Sequence, residues 1–134
     1  MTSRLAPTTT LDTRFFWEAL AAERLVIQRC TGCRTLRHPP RPMCPACNSL
    51  AWDTIDASGR GTVHSFVMPR HPPLPWFDGT YIVALIDLEE GTRLVSNLCD
   101  VDPGDVTIGM PVELFFAHFD DGLVLPQFRP ARTR

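Results

Sequence analysis

Four cysteines in two pairs, Cys30-Thr31-Gly32-Cys33 and Cys44-Pro45-Ala46-Cys47, constrain this chain more than any other feature. Each Cys-x-x-Cys turn aims two thiolates at one point, and two such turns complete a tetrahedron around a metal ion. The ten-residue insert, Arg34 to Met43, is long enough for a short hairpin or a proline-rich loop. Gly32 and Pro45 suit tight knuckles. Two pairs in one short segment point to metal binding rather than to a redox dithiol. Four thiolates leave no coordination position open, so the ion is structural rather than catalytic. Zinc is favoured, and iron in a rubredoxin-like site takes the same ligands. The thiols form a clasp, and function is to be sought elsewhere.

Reduced thiols are expected from the N-terminus. Met1 to Thr10 has a single arginine and no apolar core, so it does not read as a secretory signal. A disordered leader and a cytoplasmic location are expected. No apolar run approaches the roughly 18 residues that span a bilayer. At 134 residues and 44% hydrophobic content the chain suits one domain, or one small barrel with an appendage. All thirteen basic residues are arginine. Five lie between Arg24 and Arg41, whereas Asp78 to Asp121 holds ten acids and only Arg93. A basic front and an acidic barrel suggest an oriented surface for an anionic ligand or acidic partner, or simply a solvated one.

Asp12 or Thr13 can cap a helix from about Arg14 to Arg24. Its aromatics Phe15, Phe16 and Trp17 point three ways, with Leu20 on the face of Phe16. A helix apolar nearly all round must be covered on more than one side. Either it is tucked between ribbon and barrel, or Phe15, Phe16, Trp17 and Leu20 form a partner interface, the reading favoured here. Beyond it, strand-like runs cover Leu25 to Arg29, Leu50 to Ile55, Thr62 to Met68, Tyr81 to Leu88, Arg93 to Leu98, Val112 to Phe119 and Leu123 to Leu125. The run from Tyr81 is nearly continuous apolar, as in a strand buried on both faces. Five or six short antiparallel strands predict a small closed barrel, of which the OB-fold is the common five-stranded form.

The reactive inventory is thin. Cys99 reads as an inert small hydrophobe. His64 and His118 read as satisfied core or core-edge histidines, and no phosphate-binding glycine loop or nucleophile elbow is present. A nucleic-acid-binding OB protein is disfavoured because the predicted barrel is acidic and only the ribbon is basic.

Several motifs come in order: Phe16-Trp17, the cysteine ribbon, Gly59-x-Gly61-x-Val63-x-Ser65-Phe66, Tyr81-Ile82-Val83-Ala84-Leu85, Ile108-Gly109-Met110-Pro111-Val112 and Leu125-Pro126-x-Phe128. The set resembles the acyl-CoA-associated zinc-ribbon/OB-fold family, once a domain of unknown function, from about residue 13 to 130. Cys99 departs from the glycine expected there. The resemblance implies a mainly β fold: an N-terminal helix, a rubredoxin-like zinc ribbon and a five- to six-stranded OB-fold barrel. Expected bounds are 1–12 for the leader, 13–27 for the helix and lead-in strand, 28–50 for the ribbon, 51–128 for the barrel and 129–134 for a basic tail. It also implies a non-catalytic accessory subunit of a thiolase-superfamily enzyme, an acyl-CoA thiolase or a steroid side-chain aldolase, with two copies on an enzyme dimer. The alternative partner is a MaoC-like enoyl-CoA hydratase.

Against that background the loop Pro69 to Gly79 stands out. Arg70 and His71 can donate to an anion, and Trp76 and Phe77 offer flat apolar surface. With Arg37 and Arg41 of the ribbon insert, Arg70, His71 and Trp76 are the candidate CoA contacts. A rigid edge for docking protein alone fits the same loop.

Overall fold

Thr13 opens helix α1 (Arg14–Ala21) in the computed structural model, which describes residues 4–77 and 79–132. Its hydroxyl does not cap the first turn as expected but accepts a hydrogen bond from the Thr10 amide at 3.1 Å. The helix stops three residues short of Arg24. Glu23 takes φ 58°, a left-handed turn that ends helices. Phe16 and Leu20 are buried at 6% and 0% exposure, so they belong to the core, not to an open interface. Only Phe15 and Trp17 stay half-exposed, and Phe15 packs on Trp52 with ring centroids 4.7 Å apart. The helix is the tucked one.

The ribbon is a three-stranded antiparallel sheet in the order β2 (Leu36–Arg37), β1 (Val26–Cys30), β3 (Trp52–Asp56). Its third strand is the run expected to open the barrel. It pairs instead with β1, in a register that sets Val26 opposite Asp56 and Cys30 opposite Trp52. The second sheet has the order β6 (Arg93–Asn97), β5 (Val83–Leu88), β4 (Arg60–Val67), β7 (Pro111–His118), β8 (Val124–Pro130). In β5 the buried residues Ala84, Ile86 and Leu88 alternate with half-buried ones, so the strand is covered mainly on one face, not on both. The register between β4 and β5 slips after Val63, leaving His64 as an extra residue. Such a bulge bends and twists a strand, which helps the sheet to curl. It also turns His64 out to solvent, where Nδ1 lies 3.1 Å from Asp87. His118 is exposed as well, and its Nε2 reaches Glu23 at the end of α1 at 2.7 Å.

The barrel is not closed by a ladder. One parallel bridge, Leu98 to Phe128, and the Cys99 amide donating to the Phe128 carbonyl at 2.8 Å join its ends. Leu114 donates its amide to Gly59 on the β4 side, so the alternate residues of β7 serve β8. That parity turns the backbone groups of Pro126, Phe128 and Pro130 outward. Proline, which lacks an amide donor, is tolerated at such edge positions. For this reason β8 runs to Pro130, well past the expected Leu125. Beside Pro126 the Ser96 hydroxyl, not an amide, donates to its carbonyl at 2.7 Å. What results is a curled five-stranded half-barrel.

One core joins all three parts. Leu20 from the helix, Ile27 from the ribbon, and Val63, Ile86, Val112 and Phe128 from the barrel are fully buried in one cluster. The turn at Gly59 fits the φ of 91° found there. Gly61 is needed for space. A Cβ on it would lie 2.6 Å from the Asp87 carbonyl oxygen and 2.8 Å from Ile86. Gly61→Ala is therefore expected to cost about 1–3 kcal/mol by forcing β4 and β5 apart. Urea unfolding of the variant would measure the loss, and an unchanged midpoint would contradict the close approach.

Two of the five arginines of the basic front, Arg24 and Arg29, are matched by local acids. Arg29 makes a two-point contact with Asp53 at 2.9 and 2.7 Å, and Arg24 reaches Asp56 at 2.6 Å. In the barrel, Arg93 and His64 share Asp87, while Arg129 holds Glu113 at 3.0 Å. Hydrogen bonds from Arg29, Arg93 and Arg129 respectively hold the carboxyls of Asp53, Asp87 and Glu113 below the usual carboxylate range. A lowered folded-state pKa adds stability above the unfolded value, about 4, and that stability is lost as pH falls through the folded value. The melting temperature should thus decline progressively below about pH 5, and less so in high salt, because these pairs are solvent-screened. Melts from pH 7 to 3 at two salt concentrations would show it.

Candidate metal centre and the cleft beside it

Two matching turns build the thiol cluster. Cys30 ends β1, and its carbonyl accepts from the Arg34 amide at 2.9 Å. The Cys44 carbonyl accepts from the Asn48 amide at the same distance. Arg34 and Asn48, each directly after the second cysteine of a pair, take φ 68° and 65°. The amides of Gly32 and Cys33 point at Cys30 Sγ at 3.3 and 3.4 Å, and the Ala46 amide points at Cys44 Sγ at 3.4 Å. Amide donors favour a thiolate over a thiol. The Cys30 thiol is accordingly lowered to about 6 by the Cys33 amide, against its desolvation and helped by Cys47 and the Gly32 amide. The Thr35 hydroxyl, 3.1 Å from Cys33 Sγ, lowers that thiol too.

The four Sγ atoms lie within 4.8 Å of one another, with Cys30 to Cys47 and Cys33 to Cys44 at 3.6 Å. A tetrahedral ion with metal–sulfur bonds of about 2.3 Å needs sulfurs about 3.8 Å apart. The donor set therefore fits a four-thiolate metal ion. Cys30 and Cys44 are buried and Cys33 and Cys47 exposed, so the site sits at the surface with no ligand position left for substrate.

Cys99 lies apart. Burial pushes its thiol up, and Asp100 adds to the shift. The positive φ of this turn, 59°, falls on Asp100 rather than on Cys99, which is why the departure from glycine is tolerated.

The sequence-derived CoA contacts fall in two places. Arg37 is 3% exposed, and its Nε donates to the Arg41 carbonyl at 2.9 Å, so its side chain braces the insert from within. Arg41 itself is exposed, with its amide fixed to Gln28 Oε1 at 2.9 Å. Arg70 and His71 are exposed and Trp76 is half-buried on the loop between β4 and β5. Arg70 lines a hollow of about 300 Å³ with Pro69, Leu74, Phe77 and Tyr81. Neither Arg37 nor Arg41 lines that hollow.

A larger cleft of about 550 Å³ opens where the barrel fails to close. Helix α1 supplies Phe16 and Trp17 to one wall, and the ribbon insert supplies His38, Pro39 and Pro40 to another. The barrel side comes from the facing ends of β6 and β8, including Val95, Leu125 and Pro126, with Tyr81 at the rim. Tyr81 stacks on Phe77 at 3.7 Å with the rings 3° from parallel. Among the described residues no arginine lines the cleft. Sequence reasoning missed it, although Val95, 65% exposed on a strand of otherwise ordinary alternation, is a trace of it.

Family models match most of the chain in succession. Residues 17–53 match "ChsH2, rubredoxin-like zinc ribbon domain" and residues 54–117 match "ChsH2, C-terminal OB-fold domain". The chain belongs to the DUF35 zinc-ribbon/OB-fold family. It is 52% identical over 128 residues to a "Probable enoyl-CoA hydratase alpha subunit" of Thermomonospora curvata, covering 96% of this chain and 40% of that protein. It is 40% identical over 117 residues to the "3-oxo-4,17-pregnadiene-20-carboxyl-CoA hydratase alpha subunit" of Mycobacterium tuberculosis, covering 87% and 37% respectively. The chain thus spans about two fifths of the length of these relatives. A solved DUF35 chain from "Ltp2-ChsH2(DUF35) aldolase" superposes with TM-score 0.92 and 51% identity over 95% of this chain and all of that one. The expected fold, with helix, ribbon and OB-type sheet, is the one observed. Among the described residues no helix is long and apolar enough to cross a membrane.

Proposed function

We propose that this chain is a non-catalytic subunit that docks on a thiolase-like enzyme and helps to seat its acyl-CoA substrate. The observation that carries this reading is the full-length match to the DUF35 chain of an aldolase assembly, at 51% identity. Four thiolates that close their own coordination shell fit a scaffold and not a reaction centre. The ion they suit best is zinc, and Cys30, Cys33, Cys44 and Cys47 would hold it. When bound, it would fix the ribbon. The steroid acyl-CoA named for the mycobacterial relative makes a steroid side-chain thioester the first substrate class to test. CoA phosphates would meet Arg41, Arg70 and His71, whose side chains are exposed. Two copies per enzyme dimer are the expected stoichiometry.

Co-expression with a thiolase-like aldolase, then size exclusion with mass detection and an acyl-CoA cleavage assay, tests the reading. A stable complex whose activity needs both chains is the expected result, and a monomer that ignores the enzyme would refute it. Arg70→Ala should raise KM for the acyl-CoA about 3–10-fold with kcat little changed, as expected when a single exposed charge contact is lost. A second reading has its own support: both hydratase alpha subunits are longer than this chain and contain a region like it. Partnership with a MaoC-like hydratase would appear as co-elution with that enzyme instead.

A further inference from the structure

The cleft between β6 and β8 has the features of a ligand site that the CoA contacts do not explain. Its volume of about 550 Å³ falls inside the roughly 300–1,000 Å³ typical of small-molecule sites. Its walls come from three separate parts of the chain: the helix, the metal-clasped insert and the outer strands β6 and β8 of the sheet. They are stiff. Pro39, Pro40 and Pro126 have fixed φ, and Phe16 and Trp17 are wedged edge to face at 5.1 Å and 84°. Among the described residues no cationic side chain lines the cleft; Arg4 stands beside it, donating to Asn97 at 3.3 Å and lying over the Phe77 ring, so a phosphate finds no partner within the lining itself. His38, also in the wall, has its pKa lowered by burial, which favours the neutral imidazole. An apolar slot with stiff flat walls favours a rigid flat guest over a flexible chain, because a rigid guest loses less conformational freedom on entry.

Resting on the accessory role above, we infer that this cleft binds the fused-ring, steroid-type portion of the acyl group, while the CoA end lies outside it. The subunit then holds the substrate by its apolar end.

The test uses the full-length, metal-loaded chain and isothermal titration with the free acid 3-oxo-4-pregnene-20-carboxylate, with palmitate as the straight-chain comparison. Saturable one-to-one binding of the steroid acid, at least about tenfold tighter than palmitate, is expected. Val95→Glu, at a 65% exposed position on the cleft wall, should weaken the steroid acid tenfold or more. Ile108→Glu makes the same change at an equally exposed position off the cleft and should leave binding unaltered. Trp17→Ala removes a half-exposed wall residue and gives a second, uncharged test of the same kind. No steroid binding, equal binding of palmitate, or indifference to Val95→Glu and Trp17→Ala would overturn the assignment. Assembly with the enzyme is scored separately by size exclusion. If Val95→Glu abolishes assembly, a protein segment occupies the cleft and the ligand proposal fails, while the accessory role stands. If wild type never assembles yet binds the steroid acid, the accessory role fails and the site stands.

Discussion

Cys44→Ala should remove the metal and unfold the ribbon. Cys44 is fully buried, its sulfur receives the Ala46 amide, and it lies 3.6 Å from Cys33. With three thiolates left, the tetrahedron is open and the two turns lose their shared centre. Structural zinc contributes on the order of 10 kcal/mol to small zinc-dependent folds at neutral pH. Because Ile27 of the ribbon lies in the same core as Phe128 of the barrel, the loss is not confined to the ribbon. The expected outcome is a metal content near zero by elemental analysis, a melting temperature lowered by tens of degrees, and failure to assemble with the enzyme. Cys99→Ser, outside the cluster, should keep one ion per chain. A Cys44→Ala protein that held its ion and melted like wild type would show that the thiols are not the clasp.

Phe128→Ala should cost about 3–5 kcal/mol, as expected for truncating a fully buried aromatic. Phe128 has 0% exposure and is the point where β8 meets the end of β6. Its carbonyl takes the Cys99 amide, one of the few backbone links closing the half-barrel. The substitution leaves that hydrogen bond in place but empties the space beneath it. Domains of this size have roughly 5–15 kcal/mol in total, so the variant should sit close to unfolding. Denaturant titration would show a large fall in midpoint, and Phe128→Leu should recover much of it by restoring volume. A loss below about 1 kcal/mol would mean that the surrounding core collapses into the gap.

What could be read in the sequence was what local chemistry determines. The cysteine spacing named the cluster because two Cys-x-x-Cys turns have few other uses, and Phe16 and Leu20 marked the helix by their shared face. Pairing was less legible. Trp52–Asp56 reads as a strand from its residues, but nothing in them says that its neighbour is β1 rather than β4. The run expected at Leu123 to Leu125 continues through Pro126 to Pro130, and a sequence does not show which positions face an open edge. The faces of α1 are legible in direction, yet the cover over Phe16 and Leu20 comes from residues distant in the chain, which local periodicity does not display. The cleft was least legible. Its walls are assembled from residues far apart, and His38, Val95 and Leu125 carry no motif between them.

Pro39 and Pro40 stand in the insert bracketed by the two cysteine pairs. The clasp therefore acts like the fixed jaw of a vice whose cheek plate is exchangeable. Substitutions at His38 to Pro40 avoid Arg34, Thr35 and Arg37, which shape the turn and brace the insert, so they leave the four sulfurs where they are yet reshape one wall of the cleft. Selectivity for the guest can change in this insert without reopening the problem of how the chain folds.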